Sequence, residues 1–341
     1  MATVTVCVPT YNRHRYLREA LDSVLAQSFA DFEVLISDNG SDDGTREVGM
    51  EYERADRRII YQRLPVNRGF SYNFTRVLSS PTTEFVAYLP DDDLWCPHHL
   101  QSAVHAFRTN PHAVLYGCTA AFFDNPVVNG VHRPYWATGE RQQLDTSRQF
   151  APFLKETPVA PVSVVFRSSA REDVDWFQDD SFGAVDWLVW GQIALCGSVI
   201  FDSAVGARLR WHQGNLSHSL LKGRRSNVQF RYVIRHLATL ALERGALTPK
   251  DLVREVLESW PVGSAANLVV ALASIDSHPA LREAALEVFQ RKPGLGTSPE
   301  STKHCRMASR VGDWYLGFSD VIDRALGRWW HPVKSSGSTT H

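Results

Sequence analysis

Short apolar runs alternate with helical patterns over the first 120 residues of the chain. Runs rich in β-branched and aromatic residues predict strands at residues 3–8, 32–36, 59–62, 85–89 and 113–117. Apolar residues at helical spacing predict helices over residues 16–27, 71–79 and 98–109. Strands that alternate with helices in this way form right-handed βαβ units, so the pattern predicts an α/β fold with a mostly parallel sheet.

The pattern changes towards the carboxyl terminus. Residues 124–139 are rich in Pro, Asn and Gly and predict a long loop, and strands are predicted at 162–166 and 199–202 with an apolar helix at 187–195 between them. Helices are then predicted over residues 228–244, 249–259, 265–274 and 279–290. We therefore expect an α/β domain over residues 1–222, a helical region over 223–334 and a disordered tail over 335–341.

Polar residues follow the predicted strands at one edge of the sheet. Pro9–Arg13 follows the first strand, Asp38 follows the second, and Asp91–Asp93 follows the fourth. Ligands of parallel α/β sheets bind outside the carboxyl ends of the strands, so these segments predict a binding site. Neither GxGxxG nor GxxxxGK[ST] occurs, which argues against a dinucleotide-dependent dehydrogenase and a P-loop enzyme.

Composition narrows the class of ligand. The 36 Lys and Arg residues almost cancel the 37 Asp and Glu residues, and the net charge of −1 argues against a nucleic-acid partner. The five cysteines lack the spacing of a zinc site or a disulfide framework. The chain begins without a signal-peptide pattern and has no apolar run of membrane-spanning length. We therefore expect a cytoplasmic protein, with peripheral contact at the inner membrane face left open.

Three adjacent carboxylates at Asp91, Asp92 and Asp93 repel each other unless a cation or solvent relieves them. Mg²⁺ and Mn²⁺ bind through one or two carboxylates together with substrate phosphates. A solvated acidic turn is the other interpretation, but the position after a strand favours a metal site.

Four motifs in order resemble those of family 2 glycosyltransferases, which have the GT-A fold and use nucleotide-diphosphate sugars. They are Val6-Cys-Val-Pro-Thr-Tyr-Asn-Arg13, Ser37-Asp-Asn-Gly-Ser-Asp-Asp-Gly-Thr45, Asn67-Arg-Gly69 and Leu89-Pro-Asp-Asp-Asp-Leu-Trp95. The resemblance implies that Asp38 reads the edge of a pyrimidine base and that the Arg68–Gly69 turn lies close to the base or the phosphates. It also implies a nucleoside pocket lined by Pro9, Thr10, Tyr11 and Arg13.

The acidic motif departs from the family pattern, because Pro90 stands where many members have the first carboxylate. Alignment from the proline that follows the motif makes Asp92 the metal ligand. Asp91 is then expected to face the ribose or the metal, and Asp93 the metal or the donor sugar.

Two later segments also resemble the family. Asp186 stands where the family holds its catalytic base, although a helix N-cap explains the same residue. Asp179 and Asp180 form a competing acidic pair. In the stretch 208–217, the resemblance implies that Arg210 neutralises the departing diphosphate and that His212 completes the metal or phosphate site.

These observations predict inverting, metal-dependent transfer of a sugar from UDP or dTDP to an acceptor hydroxyl, in glycan or natural-product biosynthesis. A nucleotidyltransferase of related fold and an inactive sugar-nucleotide-binding or scaffold protein are the alternatives. The acceptor stays open between polysaccharide, lipid-linked glycan, natural product and peptide. For the carboxyl-terminal helices we expect packing on the catalytic domain, a homo-oligomer interface or membrane-surface contact.

Overall fold

The computed structural model describes residues 2–124, 130–132, 141–144, 150–154, 157–177, 183–212 and 224–252. The chain divides into two compact units. The first comprises Met1–Pro152 and Glu156–Phe230, and the second comprises Phe153–Lys155 and the chain from Arg231 onward. Several predictions fall outside the described residues: the boundary at Lys222, the acidic pair Asp179 and Asp180, the helices at 265–274 and 279–290, and the tail.

Ten strands and six α-helices are present in the described part of the chain. The strands are β1 (Val4–Thr10), β2 (Phe32–Asp38), β3 (Ile59–Arg63), β4 (Phe85–Tyr88), β5 (Leu94–Trp95), β6 (Ala113–Phe123), β7 (Val131–His132), β8 (Arg141–Leu144), β9 (Val165–Arg167) and β10 (Ser198–Arg210). The helices are α1 (His14–Leu25), α2 (Thr45–Ala55), α3 (Phe70–Ser79), α4 (His99–Thr109), α5 (Val185–Ala194) and α6 (Arg224–Glu243). Short 3₁₀ turns lie at Ala151–Leu154, Pro161–Ser163 and Ser168–Asp173.

The strands form one sheet in the order β3-β2-β1-β4-β9-β6-β10-β5, with β7 beside β6 and β8 beside β10. Strands β1 to β4 run parallel to one another, and β6 is parallel to β10. Strand β9 is antiparallel to both β4 and β6. Strand direction therefore reverses twice between β4 and β6, so that β6 and its parallel neighbour β10 run the same way as β4. The carboxyl ends of β1, β2, β4 and β10 therefore meet at one edge.

The apolar pattern explains why these segments form a central sheet. Every residue of β1 is buried, as expected for a strand covered on both faces. Helix α1 places Leu17, Leu21 and Val24 against this sheet at helical spacing, and all three are fully buried. Burying each such side chain stabilises the fold by about 1.5–3 kcal/mol. The edge that holds the polar segments is thus built on a rigid core.

The predicted α/β fold with a mostly parallel sheet is confirmed, and so are the strands of its first half. Helix α2 was not predicted, and the strand predicted at 113–117 continues to Phe123. The predicted loop at 124–139 is wrong at Val131–His132, which pairs with β6. Within the residues that the structure describes, no helix combines the length and apolar character needed to cross a bilayer.

Candidate active site

The turn after β1 joins the ends of two strands. Asn12 adopts a left-handed backbone conformation with φ of 52°, and its N–H donates to Ser41 Oγ at 2.9 Å. The next N–H, of Arg13, donates to Thr45 Oγ1 at 3.0 Å. These bonds fix the start of α1 against the turn that follows β2, so the segments that follow the first two strands form one surface.

Asp38 lies at the bottom of this surface and is fully buried. Its Oδ1 accepts hydrogen bonds from the Ser41 N–H at 2.9 Å and from the Ser41 hydroxyl at 2.6 Å. Its Oδ2 accepts a hydrogen bond from the Tyr61 hydroxyl and lies 3.7 Å from Arg63 Nε. Both oxygens are therefore occupied within the protein, and the expected contact between Asp38 and a pyrimidine base stays a prediction.

Asn39, the next residue, holds the turn that precedes α3. Its amide Nδ2 donates to Asn67 Oδ1 and to the carbonyl of Gly69, both at 2.9 Å. Its Oδ1 accepts the Arg68 N–H at 2.9 Å, and the guanidinium of Arg68 lies over the Tyr72 ring at 4.5 Å. Arg68 and Gly69 are thus placed beside the end of β2, and their expected contact with a base or phosphate stays a prediction.

Gly40 allows the two turns to approach each other. Its φ is +78°, and a Cβ built there would lie 2.6 Å from the backbone carbon of Val66. We predict that Gly40→Ala lowers the free energy of unfolding by about 2–4 kcal/mol, since backbone strain and backbone overlap add. Urea unfolding measures the change. Gly44→Ala is the control, because Gly44 has φ of −72° and its Cβ would meet only ordinary contacts; a loss as large as that of Gly40→Ala would contradict this account.

The three aspartates after β4 have different surroundings. Asp91 Oδ2 accepts the Tyr11 N–H at 3.4 Å, which joins the acidic turn to the end of β1. Asp93 is buried, and its Oδ1 accepts the Arg210 N–H at 2.8 Å. Asp92 Oδ2 contacts the guanidinium of Arg13 at 2.7 Å and His212 Nε2 at 3.0 Å. Asp92 is therefore the carboxylate on which the ends of β1, β4 and β10 converge.

Burial and mutual repulsion give the three carboxyl groups different pKa values. Burial, with the neighbouring charge of Asp92, raises the pKa of Asp91 to about 7, and the same causes raise the pKa of Asp93. Burial also acts to raise the pKa of Asp92, but the hydrogen bond with His212 and the charge of Arg13 outweigh it and lower that pKa. Asp92 is therefore the carboxyl group of the acidic turn that ionises most readily.

Arg210 is held by other residues of the protein. Its side chain is buried, and its guanidinium pairs with Glu19 at 2.6 Å and with Asp124. It also lies over the rings of Tyr16, at 4.7 Å, and Phe123, at 4.5 Å. These contacts pair its positive charge with carboxylates and aromatic rings of the protein itself. The expected contact with a diphosphate stays a prediction.

The same arginine fixes the acidic turn. Arg210 Nε donates to the carbonyl of Asp92 at 2.8 Å, and its N–H donates to the carboxylate of Asp93. Removing the side chain would leave the half-buried carbonyl of Asp92 without its donor, and the carboxylates of Glu19 and Asp124 without their partner. Arg210 and Asp93 thus set the position of the backbone that carries Asp92.

Asp186 lies in the first turn of α5, where its Oδ1 accepts the Trp187 N–H at 2.8 Å. Burial raises its pKa to about 6. One turn further along α5, Trp190 is fully buried and packs on the ring of Tyr88, with ring centroids 5.9 Å apart. Tyr88 ends β4, three residues before Asp91. Burial raises the pKa of the Tyr88 phenol, and the charges of Asp186 and of Asp91–Asp93 raise it further.

A divalent cation fits this edge when the substrate completes its coordination. Among the described residues no three His, Cys, Asp or Glu side chains converge as a full set of ligands. Asp92 and His212 do converge, and an oxygen and an imidazole nitrogen are donors that Mn²⁺ accepts. The crowding of three carboxyl groups in one turn also favours a cation, because a cation relieves their mutual repulsion. Asp92 and His212 would hold it, with phosphate oxygens and water as the other ligands.

Comparison with known proteins identifies the family. The profile of the family described as glycosyl transferase family 2 matches residues 5–174, which contain β1, β2, β4 and the acidic turn. The chain belongs to glycosyltransferase family 2.

A glycosyltransferase from Nostoc sp. is 27% identical over 233 residues, which cover 64% of this chain and 65% of that protein. Two solved structures share the fold. The chain resembles S. aureus TarS, solved with UDP-GlcNAc, with a TM-score of 0.57 and 17% identity over 86% of this chain and 82% of that one. It resembles the mannosyltransferase PcManGT of Pyrobaculum calidifontis, solved with GDP-Man and Mn²⁺, with a TM-score of 0.51 and 20% identity over 90% of this chain and 84% of that one.

The structure of this family 2 glycosyltransferase adds residues that the sequence did not single out. Asn39 holds the turn at Gly69, Glu19 anchors Arg210, and Tyr88 adjoins the carboxylates. Asn39 lies inside the motif at residues 37–45, and Tyr88 directly precedes the motif at residues 89–95. Their positions along the chain could therefore have indicated that both residues lie near the site. Glu19 is an ordinary exposed helix residue by sequence, and only the fold brings it to Arg210.

Proposed function

We propose that this chain transfers a sugar from UDP or dTDP to an acceptor hydroxyl with inversion at the anomeric carbon, with Mg²⁺ or Mn²⁺ as cofactor. The observation that carries the proposal is the convergence on Asp92. Arg13 from the turn after β1 and His212 from the end of β10 both contact its Oδ2, at 2.7 Å and 3.0 Å. A carboxylate, an imidazole and a guanidinium at the ligand edge of an α/β sheet suit a nucleoside diphosphate and a cation.

The nucleoside and the diphosphate are assigned to the surface formed by the turns after β1 and β2. Pro9 and Thr10 end β1 there and Tyr11 follows them, while Asn39, directly after β2, holds the turn that contains Arg68 and Gly69. A cation held by Asp92 and His212 would supply positive charge that stabilises the leaving diphosphate. Asp92 and His212 orient that end of the donor, and Arg210 keeps Asp92 in place through its backbone carbonyl.

Asp186 is assigned the role of general base. The acceptor oxygen attacks the anomeric carbon, its proton passes to the Asp186 carboxylate, and the bond between the anomeric carbon and the phosphate oxygen breaks on the opposite face. A pKa of about 6 leaves this carboxylate ionised at pH 7 yet basic enough to take a proton. The packing of Trp190, one turn further along α5, on Tyr88 at the end of β4 supports a position of Asp186 near the acidic turn.

The known neighbours agree with this chemistry. TarS was solved with UDP-GlcNAc and PcManGT with GDP-Man and Mn²⁺, so the shared fold accommodates nucleotide sugars and a divalent cation. The nucleotides in these two structures differ in their base, which is uracil in the one and guanine in the other. The choice of a pyrimidine for this chain rests on the motif resemblance at residues 37–45. The acceptor is assigned no further than a hydroxyl group.

Thermal stabilisation by nucleotide sugars tests the donor assignment. A ligand that binds only the native state at 100 times its Kd stabilises it by about 2.7 kcal/mol. We predict that UDP or dTDP sugars with Mn²⁺ raise the melting temperature by several degrees, whereas GDP sugars and nucleoside triphosphates do not. Stabilisation by a nucleoside triphosphate with release of pyrophosphate would instead favour a nucleotidyltransferase.

A further inference from the structure

The guanidinium of Arg13 occupies the position between Asp92 and His212. Arg13 NH1 lies 2.7 Å from Asp92 Oδ2 and 3.2 Å from His212 Nε2, while Asp92 Oδ2 and His212 Nε2 lie 3.0 Å from each other. One Arg13 nitrogen, one carboxylate oxygen and one ring nitrogen thus form a closed triangle. The two groups assigned to the cation are the same two that Arg13 contacts.

The contact is well defined and weakly screened by solvent. The side chains of Arg13 and Asp92 are 24% and 12% exposed, so their attraction exceeds that of a surface pair. The Tyr16 ring supports the arrangement, since it lies 5.7 Å from the Arg13 guanidinium and stacks on the His212 ring at 5.2 Å. The N–H of Arg13 is held by Thr45. Its backbone is therefore fixed, while its side chain can change partner.

A guanidinium and a divalent cation cannot share this position. A cation bound to Asp92 and His212 would stand about where the NH1 group lies, and two positive charges at such a distance repel strongly. A single guanidinium also supplies only one positive charge to a turn that carries the three carboxyl groups of Asp91, Asp92 and Asp93. Arg13 is thus a partial counter-ion that a doubly charged ion can replace.

We propose that Arg13 is the internal counter-ion of the metal site: a divalent cation displaces its guanidinium from Asp92 and His212, and the displaced guanidinium becomes a ligand of the donor diphosphate. Cation and donor then bind cooperatively, because the donor supplies a new anionic partner for Arg13. The exchange at Asp92 is supported by the mutual contacts of Arg13, Asp92 and His212. Only its last step, the transfer of Arg13 to the diphosphate, rests on the proposed function.

Manganese binding without nucleotide tests the exchange directly. The electron paramagnetic resonance signal of unbound Mn²⁺ gives the Kd for the full-length protein, Arg13→Gln and Arg15→Gln. Arg15 is an exposed arginine two residues further along α1, so its variant removes the same charge without touching Asp92. We expect Arg13→Gln to bind Mn²⁺ about tenfold more tightly than the unaltered protein, and Arg15→Gln to stay within twofold of it.

An unchanged or weaker Mn²⁺ affinity in Arg13→Gln would overturn the proposal, as would an equal gain in Arg15→Gln. Arg13→Lys is the second variant: it keeps the charge on a shorter donor, and we expect an affinity between those of the unaltered protein and Arg13→Gln. Addition of UDP tests the last step, because it should tighten Mn²⁺ binding several-fold more in the unaltered protein than in Arg13→Gln. Manganese binding is read without sugar transfer, so a failure of the proposed function appears separately as absence of turnover.

Discussion

Asp186→Asn is expected to lower kcat by about 10²–10⁴-fold while the Kd for the nucleotide stays unchanged, because a general base acts in the transition state and not in donor binding. The amide keeps the size of the side chain and can still accept the Trp187 N–H. Initial rates of nucleoside diphosphate release and calorimetric Kd values measure the two quantities. Asp31→Asn is the matched control, since Asp31 is exposed and precedes β2 at the opposite edge of the sheet. Full activity in Asp186→Asn would remove the base assignment.

The pKa of Asp186 adds a pH signature. Since the base must be ionised, we expect activity to rise with pH through about 6 and to level off above it. Burial raises this pKa in the folded state, so folding favours the protonated acid. The stability this gives is complete below the unfolded pKa and is lost as pH rises to about 6. Asp186→Asn should therefore melt at a higher temperature than the unaltered protein at pH 8, and the difference should vanish near pH 4. An equal or lower melting temperature at pH 8 would contradict the assigned burial.

Asp92→Asn is expected to abolish cation-dependent nucleotide binding and to reduce turnover by about 10³-fold, the equivalent of roughly 4 kcal/mol of transition-state stabilisation. Asp92 is the carboxylate that Arg13 and His212 both contact, so its loss removes the centre of the site. Calorimetric titration of UDP with and without Mn²⁺ measures the loss, and Asp31→Asn again serves as the control. Cation-dependent UDP binding of unaltered affinity would show that Asp92 is not a metal ligand.

The segments of the site could be predicted because strand direction places them. Asp38 ends one parallel strand, Pro9–Arg13 spans the end of another, and the Asp91–Asp93 turn comes after a third. Parallel strands bring their carboxyl ends to one edge. The sequence did not indicate that β9 is antiparallel between β4 and β6. That pair of reversals returns β10 to the common direction and brings His212 within 3.0 Å of Asp92. Such register comes from contacts between residues far apart in the chain.

Individual side-chain roles were harder to predict, because they depend on partners that the sequence does not place. The sequence could not show that Glu19 and Asp124, 191 and 86 positions away along the chain, hold the guanidinium of Arg210, whose expected contact with a diphosphate stays a prediction. Nor could it show that the Tyr61 hydroxyl on the adjacent strand binds the carboxylate of Asp38, whose expected contact with a base also stays a prediction. In both cases the residue type indicated the charge correctly, whereas the direction of that charge was set by the fold.

The anomeric configuration of the first sugar released tests the central claim most directly. A nucleotide sugar that stabilises the protein is incubated with it and Mn²⁺, with water as the acceptor, and the anomeric proton is followed by NMR before the sugar mutarotates. Inverting transfer predicts that nucleoside diphosphate and the sugar anomer opposite to that of the donor appear together, and that Asp186→Asn suppresses both. Release of the donor's own anomer, or of pyrophosphate in place of nucleoside diphosphate, would contradict an inverting glycosyltransferase with Asp186 as its base.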